Sequence, residues 1–220
     1  MYSPPQPELD QNPALCEQIA DALVAQGYLI LPSALPEALG YRLYHHLQTL
    51  DGAQFRRAGI GREQDHQLHA DIRRDQIRWL SHHCPVEAEY LRWMDQLRQG
   101  LNRRLFMGLF DYEAHFAHYP QGAFYKRHLD AFRGQTNRVL TTVCYLNPHW
   151  QPRLGGELLI WPTQESTLAL ARVVPQMGTL VVFLSERFPH EVRPARADRY
   201  SIAGWFRVNA SINNQIDPPR

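Results

Sequence analysis

The chain has 220 residues, 44% hydrophobic and 11% aromatic, enough apolar material for one large domain with a packed core. Twenty-three Lys and Arg against 22 Asp and Glu leave a formal net charge of +1, which excludes the basic field of a nucleic-acid or anionic-membrane binder and points to a peptide or small-molecule partner. Cys16, Cys84 and Cys144 are odd in number and far apart with no Cys-x-x-Cys, so spacing suggests neither a disulfide framework nor a thiolate zinc site. Residues 1–12, with Pro4, Pro5, Pro7 and two acids, are expected to be a flexible N-terminus and are the opposite of a signal peptide. The longest apolar run, Val173 to Leu184, is broken by Pro175, Gln176 and Gly178, so no bilayer-spanning segment is expected and a cytoplasmic location follows.

Helical spacing of Leu15, Ile19, Ala22 and Leu23 predicts a helix over Pro13 to Gln26, closed by Gly27 and followed by a short strand, Tyr28 to Leu31. Further helices are predicted over Leu35 to Leu50, through Leu39, Leu43 and Leu47, and over Pro85 to Gly108, through Leu91, Met94, Leu97, Leu101 and Leu105. Between them Ala53 to His69 is polar, with Arg56, Arg57, Gly59, Gly61, Arg62 and Asp65, and reads either as a functional lid or as a solvated loop. After Asp111 the chain switches to short β-branched and aromatic runs. Strands are predicted at Tyr112 to Tyr119, Ala123 to His128, Arg138 to Leu146, Glu157 to Trp161, Thr167 to Val173, Thr179 to Leu184, Pro189 to Arg193 and Arg199 to Val208. Turn chemistry at Pro120-Gln121-Gly122, Asn147-Pro148 and Gly155-Gly156 punctuates them. The expected class is α+β, mainly β: a jelly roll, or double-stranded β-helix, with N-terminal supporting helices.

Two His-x-Asp tripeptides occur, and chance alone supplies roughly half of one in a chain of this composition, so the pattern needs context. His69-Ala70-Asp71 lies in the polar stretch before a predicted helix. His128-Leu129-Asp130 ends a predicted strand, where alternation puts both side chains on one face. His190 begins another strand of the same series, and two imidazoles with one carboxylate are the ligand set of non-haem Fe(II) oxygenases. Arg199 opens the next strand and offers a planar, permanently charged fork for a carboxylate, to which Tyr145 can add a hydroxyl. Singly each residue has an ordinary structural reading; the set together points to an oxygenase.

Several ordered motifs carry a resemblance: Tyr119-Pro120, Tyr125 through Asp130, Arg138 through Asn147, Gly155 through Pro162, His190 through Pro194 and Arg199 through Trp205, with Asp71 through Trp79 upstream. Over roughly Gly27 to Trp205 the chain resembles the 2-oxoglutarate and Fe(II)-dependent prolyl 4-hydroxylases of the hypoxia-sensing type, in the compact form of bacterial members. The resemblance implies His128, Asp130 and His190 as the iron ligands, and Arg199 and Tyr145 as the pair holding the far carboxylate of 2-oxoglutarate. It places Tyr119, Tyr125 and Trp205 around the co-substrate pocket or its mouth, and makes Arg56 to Asp71 a loop that folds over the substrate. It further implies Fe(II), 2-oxoglutarate and O2, with ascorbate as an accessory reductant, and hydroxylation of a prolyl residue in a protein substrate with succinate and CO2 as co-products. Elongation factor Tu is such a substrate for some bacterial members, and the activity can serve oxygen sensing. The alternatives are a related oxygenase acting on another residue or a small molecule, and a non-catalytic metal-binding sensor. The expected organisation is a single domain: a helical buttress over 13–110 containing the covering loop at about 53–71, a catalytic β core over 111–210, and a C-terminal tail over 211–220.

Overall fold

The computed structural model describes residues 13–58, 71–131, 137–209, 211–212 and 215–216. The expectations for residues 1–12, and for His69 with most of the polar loop, lie outside the described residues. Three helices, α1 (Pro13–Ala25), α2 (Glu37–Thr49) and α3 (Pro85–Leu105), each bury an apolar stripe at three- and four-residue spacing. After α1, Gly27 takes φ +88° and its N–H donates to Ala22 O at 3.0 Å, a left-handed cap that suits glycine. Helix α3 begins with Pro85 and stops at Leu105, short of the expected Gly108. There Phe106 turns left-handed, while the Asn102 side chain exchanges two 2.8 Å hydrogen bonds with the Leu109 backbone and directs the chain into the next strand.

The strands are β1 (Tyr28–Leu31), β2 (Arg56–Arg57), β3 (Gln76–Trp79), β4 (Leu109–Tyr119), β5 (Tyr125–His128), β6 (Arg138–Tyr145), β7 (Leu158–Ile160), β8 (Ala171–Val173), β9 (Leu180–Leu184), β10 (His190–Val192), β11 (Arg199–Val208), β12 (Ser211–Ile212) and β13 (Gln215–Ile216). All eight strands expected after Asp111 are present, mostly trimmed at their ends. Strands β2 and β3 were not anticipated, and the segment expected to be a tail carries the short pair β12 and β13. The larger sheet has the order β1-β9-β6-β11-β4-β3-β2 and the smaller β5-β10-β7-β8, with antiparallel pairing throughout both.

The larger sheet separates two cores. On one face Ile19, Leu43, Met94 and Leu101 from the helices pack against Phe116, Leu140, Leu180, Ile202 and Phe206. Burying each such side chain stabilises the fold by about 2 kcal/mol. On the other face Tyr119, Val143, Tyr145, Val181 and Phe183 meet Leu158, Ile160 and Val192 of the smaller sheet. The strand period of two produces this division: along β11, Ile202 and Phe206 join the helical core, and Arg199, Ser201 and Trp205 alternate with them toward the smaller sheet. No described helix is long and apolar enough to cross a membrane.

Candidate active site

Between the sheets, register brings the expected polar residues together. His190 on β10 pairs directly with His128 on β5, and Asp130 follows two residues after His128. Asp130 Oδ1 lies 3.5 Å from His128 Nε2, and Asp130 Oδ2 lies 3.6 Å from His190 Nε2. Octahedral ligands at about 2.1 Å from a divalent cation sit about 3.0 Å apart when adjacent, so a closure of a few tenths of an ångström suits this trio to one ion. Each imidazole has its other nitrogen on a backbone carbonyl, His128 Nδ1 on Lys126 O at 2.8 Å and His190 Nδ1 on Phe188 O at 3.1 Å. A carbonyl only accepts, so Nδ1 carries the proton and the Nε2 lone pair faces Asp130.

The protonation states also suit a cation. Burial lowers His190 to about 4, so it is neutral at neutral pH. Burial works against ionisation of Asp130 as well, but His190 and His128 in their protonated forms, together with the Trp205 N–H, outweigh it and hold the carboxyl well below the usual range; a bound cation would take the place of those protons.

Two donors fix the carboxylate from behind. Thr141 on β6 and Trp205 on β11 are register partners; Thr141 Oγ1 donates to Asp130 Oδ2 at 2.8 Å and Trp205 Nε1 donates to the same oxygen at 3.0 Å. Ser185 Oγ is 2.9 Å from Thr141 Oγ1. Oδ2 is thereby engaged, which leaves Oδ1 as the natural single ligand atom. Trp205, expected around the co-substrate pocket or its mouth, therefore also touches Asp130 itself. On the opposite side Tyr125 stacks on His128 with ring centroids 3.6 Å apart and planes 15° apart, and the Arg73 guanidinium lies 4.5 Å from the Tyr125 ring centre. Arg73 is gripped in turn by buried Asp75 through two bonds of 2.6 and 2.9 Å.

Arg199 is 1% exposed. Its Nε donates to Gly156 O at 2.8 Å and Nη1 to Ser201 Oγ at 3.3 Å, while its guanidinium carbon lies 4.8 Å and 5.0 Å from the Tyr119 and Tyr145 ring centres. Arg199 Nη2 and Tyr145 Oη are both buried without a hydrogen-bond partner of ordinary geometry. Burial pushes the Tyr145 hydroxyl up to about 12 against the pull of Arg199, so it remains a phenol able to donate. A buried guanidinium N–H and a buried phenol left unsatisfied are costly unless an acceptor joins them, and a carboxylate matches both. The donor set thus fits the distal end of a dicarboxylic acid such as 2-oxoglutarate. Gly156 makes the geometry possible: at φ +70° a Cβ there would stand 3.2 Å from Arg199 Cδ.

His128, Asp130, His190, Arg199, Tyr145, Tyr119, Tyr125 and Trp205 all lie in or around this inter-sheet region; of the competing His69-Ala70-Asp71, Asp71 is exposed and His69 lies outside the described residues. Sequence reasoning missed Thr141, Ser185, Gly156 and the pairing of Arg73 with Asp75. It also missed His115, 2% exposed on β4 beside Trp79 and Trp205, which burial lowers to about 4. For Thr141 and His115 the only sequence signal is strand parity relative to the triad.

A family model described as the 2OG-Fe(II) oxygenase superfamily matches residues 114–207. The chain is 31% identical over 214 residues to the human prolyl hydroxylase EGLN3, an alignment covering 90% of this chain and 85% of that protein. It is 36% identical over 146 residues to human Egl nine homolog 1, of whose length that alignment spans 33%. Among solved structures, a Pseudomonas putida prolyl-4-hydroxylase is 39% identical with a TM-score of 0.79, covering 89% of this chain and 100% of that one. A Trichoplax adhaerens prolyl hydroxylase, solved with a peptide fragment of the hypoxia inducible factor oxygen degradation domain, is 27% identical with a TM-score of 0.76, covering 90% and 91%. With a relative of such identity aligned over nearly its whole length, this chain belongs to the 2OG-Fe(II) oxygenase superfamily, in the branch of the EGLN prolyl hydroxylases.

Proposed function

We propose that the chain is an Fe(II)- and 2-oxoglutarate-dependent dioxygenase that hydroxylates a prolyl residue of a protein substrate, with succinate and CO2 as co-products. The observation that carries this reading is the placement, between the same two sheets, of the His128, Asp130 and His190 donor atoms and of the unsatisfied Arg199 Nη2 and Tyr145 Oη. His128, Asp130 and His190 would hold Fe(II) on one side, leaving the remaining positions for co-substrate and O2. Bound iron and 2-oxoglutarate supply the activation of dioxygen coupled to oxidative decarboxylation. The chain's own residues bind and orient: Arg199 and Tyr145 hold the far carboxylate, Tyr119 flanks the Arg199 guanidinium, and Thr141 and Trp205 fix Asp130. The apolar lining from Val181, Phe183 and Ile160 keeps water from the reacting centre.

A protein substrate is supported by the peptide complex of the Trichoplax relative. The stretch from Arg56 to Asp71 is assigned to covering that substrate; β2 and β3, near its two ends in sequence, pair at the edge of the larger sheet. Elongation factor Tu is the first candidate substrate, oxygen-dependent turnover is the route to a sensing role, and ascorbate would maintain the iron in its reduced state.

The test is mass spectrometry of elongation factor Tu and a panel of proline-containing peptides after incubation with Fe(II), 2-oxoglutarate, ascorbate and air, with succinate followed in parallel. One added oxygen on a prolyl residue, dependent on 2-oxoglutarate and lost in His190→Ala, is the expected result. Succinate without a modified proline would redirect the search to another substrate, and absence of succinate would refute the dioxygenase.

A further inference from the structure

A second cluster of metal-ligating side chains lies on the helical side of the larger sheet, where α2 meets the start of α3. His46 Nε2 is 2.7 Å from Glu87 Oε1 and 3.5 Å from Cys84 Sγ. The His46 ring packs 6.2 Å from that of Phe116, a member of the helical core, so this cluster is on the opposite side of the sheet from His128, Asp130 and His190. Glu87 is fully buried; His46 and Cys84 are partly exposed, which gives solvent a direct approach.

We propose that His46, Cys84 and Glu87 form a second metal site, for a divalent cation of the zinc class, independent of the inter-sheet centre. Thiolate, imidazole and one carboxylate form a donor set softer than that of the inter-sheet triad and favour zinc over magnesium or calcium. Tetrahedral zinc with bonds of about 2.3 Å to sulfur and about 2.0 to 2.1 Å to nitrogen and oxygen places N and S about 3.6 Å apart, and N and O about 3.4 Å apart. The first separation is already met. The second requires His46 to swing back from Glu87 by roughly 0.7 Å, which its partly exposed ring permits, as the metal replaces the shared proton. Solvent supplies the fourth ligand.

The surroundings prepare Glu87 for this role. Its Oε2 accepts from the Ser81 N–H at 2.7 Å and its Oε1 from Arg78 Nη1 at 2.6 Å. An ionised carboxylate has about four lone-pair sites, so these bonds orient it and still leave one free on Oε1. Cys84 is the N-cap residue of α3, yet its side chain makes no capping bond and is instead within reach of His46. Carboxylate and thiolate together neutralise a dication, leaving Arg78 as the cation nearest the site. Local spacing hid the arrangement, because Cys84 and Glu87 lie 38 and 41 residues from His46.

Cobalt(II) is the probe, since a sulfur ligand gives it a thiolate-to-metal charge-transfer band in the near ultraviolet and the inter-sheet triad contains no sulfur. The chelator-stripped 220-residue chain should bind two equivalents of cobalt, and the His128→Ala, Asp130→Ala double variant one, with the sulfur band intact in both and displaced by zinc. Cys84→Ser should abolish the band and lower the stoichiometry of the double variant to none, while its metal-free melting curve stays that of the parent. Absence of a sulfur band in the unsubstituted chain, or a band that survives Cys84→Ser, would overturn the site. Neither result depends on catalytic turnover, so the dioxygenase reading stands or falls separately.

Discussion

Asp130 is the point on which the polar network between the sheets converges: two imidazoles face it, and Thr141 and Trp205 both donate to one of its oxygens. Asp130→Ala should eliminate iron retention and turnover together, measured as metal content after desalting. Thr141→Val leaves the triad but removes a donor behind it, and iron affinity should weaken by about 10- to 100-fold, read by competition with a chelator; unchanged affinity would assign Thr141 to packing alone. Also between the sheets, Arg199 uses Nε on Gly156 O and has Nη2 to spare. Arg199→Lys keeps the charge but not the planar fork, so the 2-oxoglutarate concentration for half-maximal turnover should rise by at least about tenfold while iron affinity holds. Recovery of parental co-substrate affinity with lysine would mean that charge alone suffices.

At the level of elements, the turn before β7 is the most exposed to substitution. Gly155 and Gly156 both take positive φ, and a methyl group on Gly156 would press on Arg199 Cδ, the Trp150 ring and Ala195. Gly156→Ala should cost about 1 to 2 kcal/mol in a urea titration through backbone strain, and should also raise the 2-oxoglutarate requirement because it displaces the clamp. Stability loss with an unaltered co-substrate titration would confine the glycine to the turn. Such couplings set the boundary of what sequence reading can reach. The eight core strands were legible because alternation and β-branched runs are local properties, and the grouping of His128, Asp130, His190, Arg199 and Tyr145 between the sheets was legible because those residue types have few other uses in combination. Strand β3 was not: Gln76, Ile77, Arg78 and Trp79 alternate polar with apolar, but four residues after a polar stretch are too short to stand out, and pairing with His118 through His115 of β4 holds them as a strand. The end of α3 was misread because the exchange between Asn102 and Leu109 overrides helical periodicity. Thr141 and Trp205 became partners only through the β6 to β11 register, and Arg73 with Asp75 through an ion pair that resembles any surface couple until it is buried.

For the molecule as a whole, the buried histidines tie stability to pH. His115 titrates at about 4 in the folded chain, because burial disfavours its charged form, and at about 6.5 when unfolded. Below pH 6.5 the unfolded chain therefore takes up a proton that the folded chain refuses. Stability falls as pH drops from about 6.5 to about 4, by up to about 3 kcal/mol from this residue, and His190 acts in the same direction in the metal-free protein. Unfolding free energies of the metal-free chain across that window should show this slope, and His115→Gln should flatten it by about one proton; parallel slopes would remove His115 from the account. The larger sheet also divides the burdens of selection. Along β4, β6, β9 and β11, neighbouring codons should answer to different demands, one set to abundance through the helical core and the interleaved set to turnover through the inter-sheet face. A saturation-mutagenesis profile across these strands would accordingly show two superimposed phenotypes of period two, and drift confined to the helical face could retune thermal tolerance without altering the chemistry one residue away.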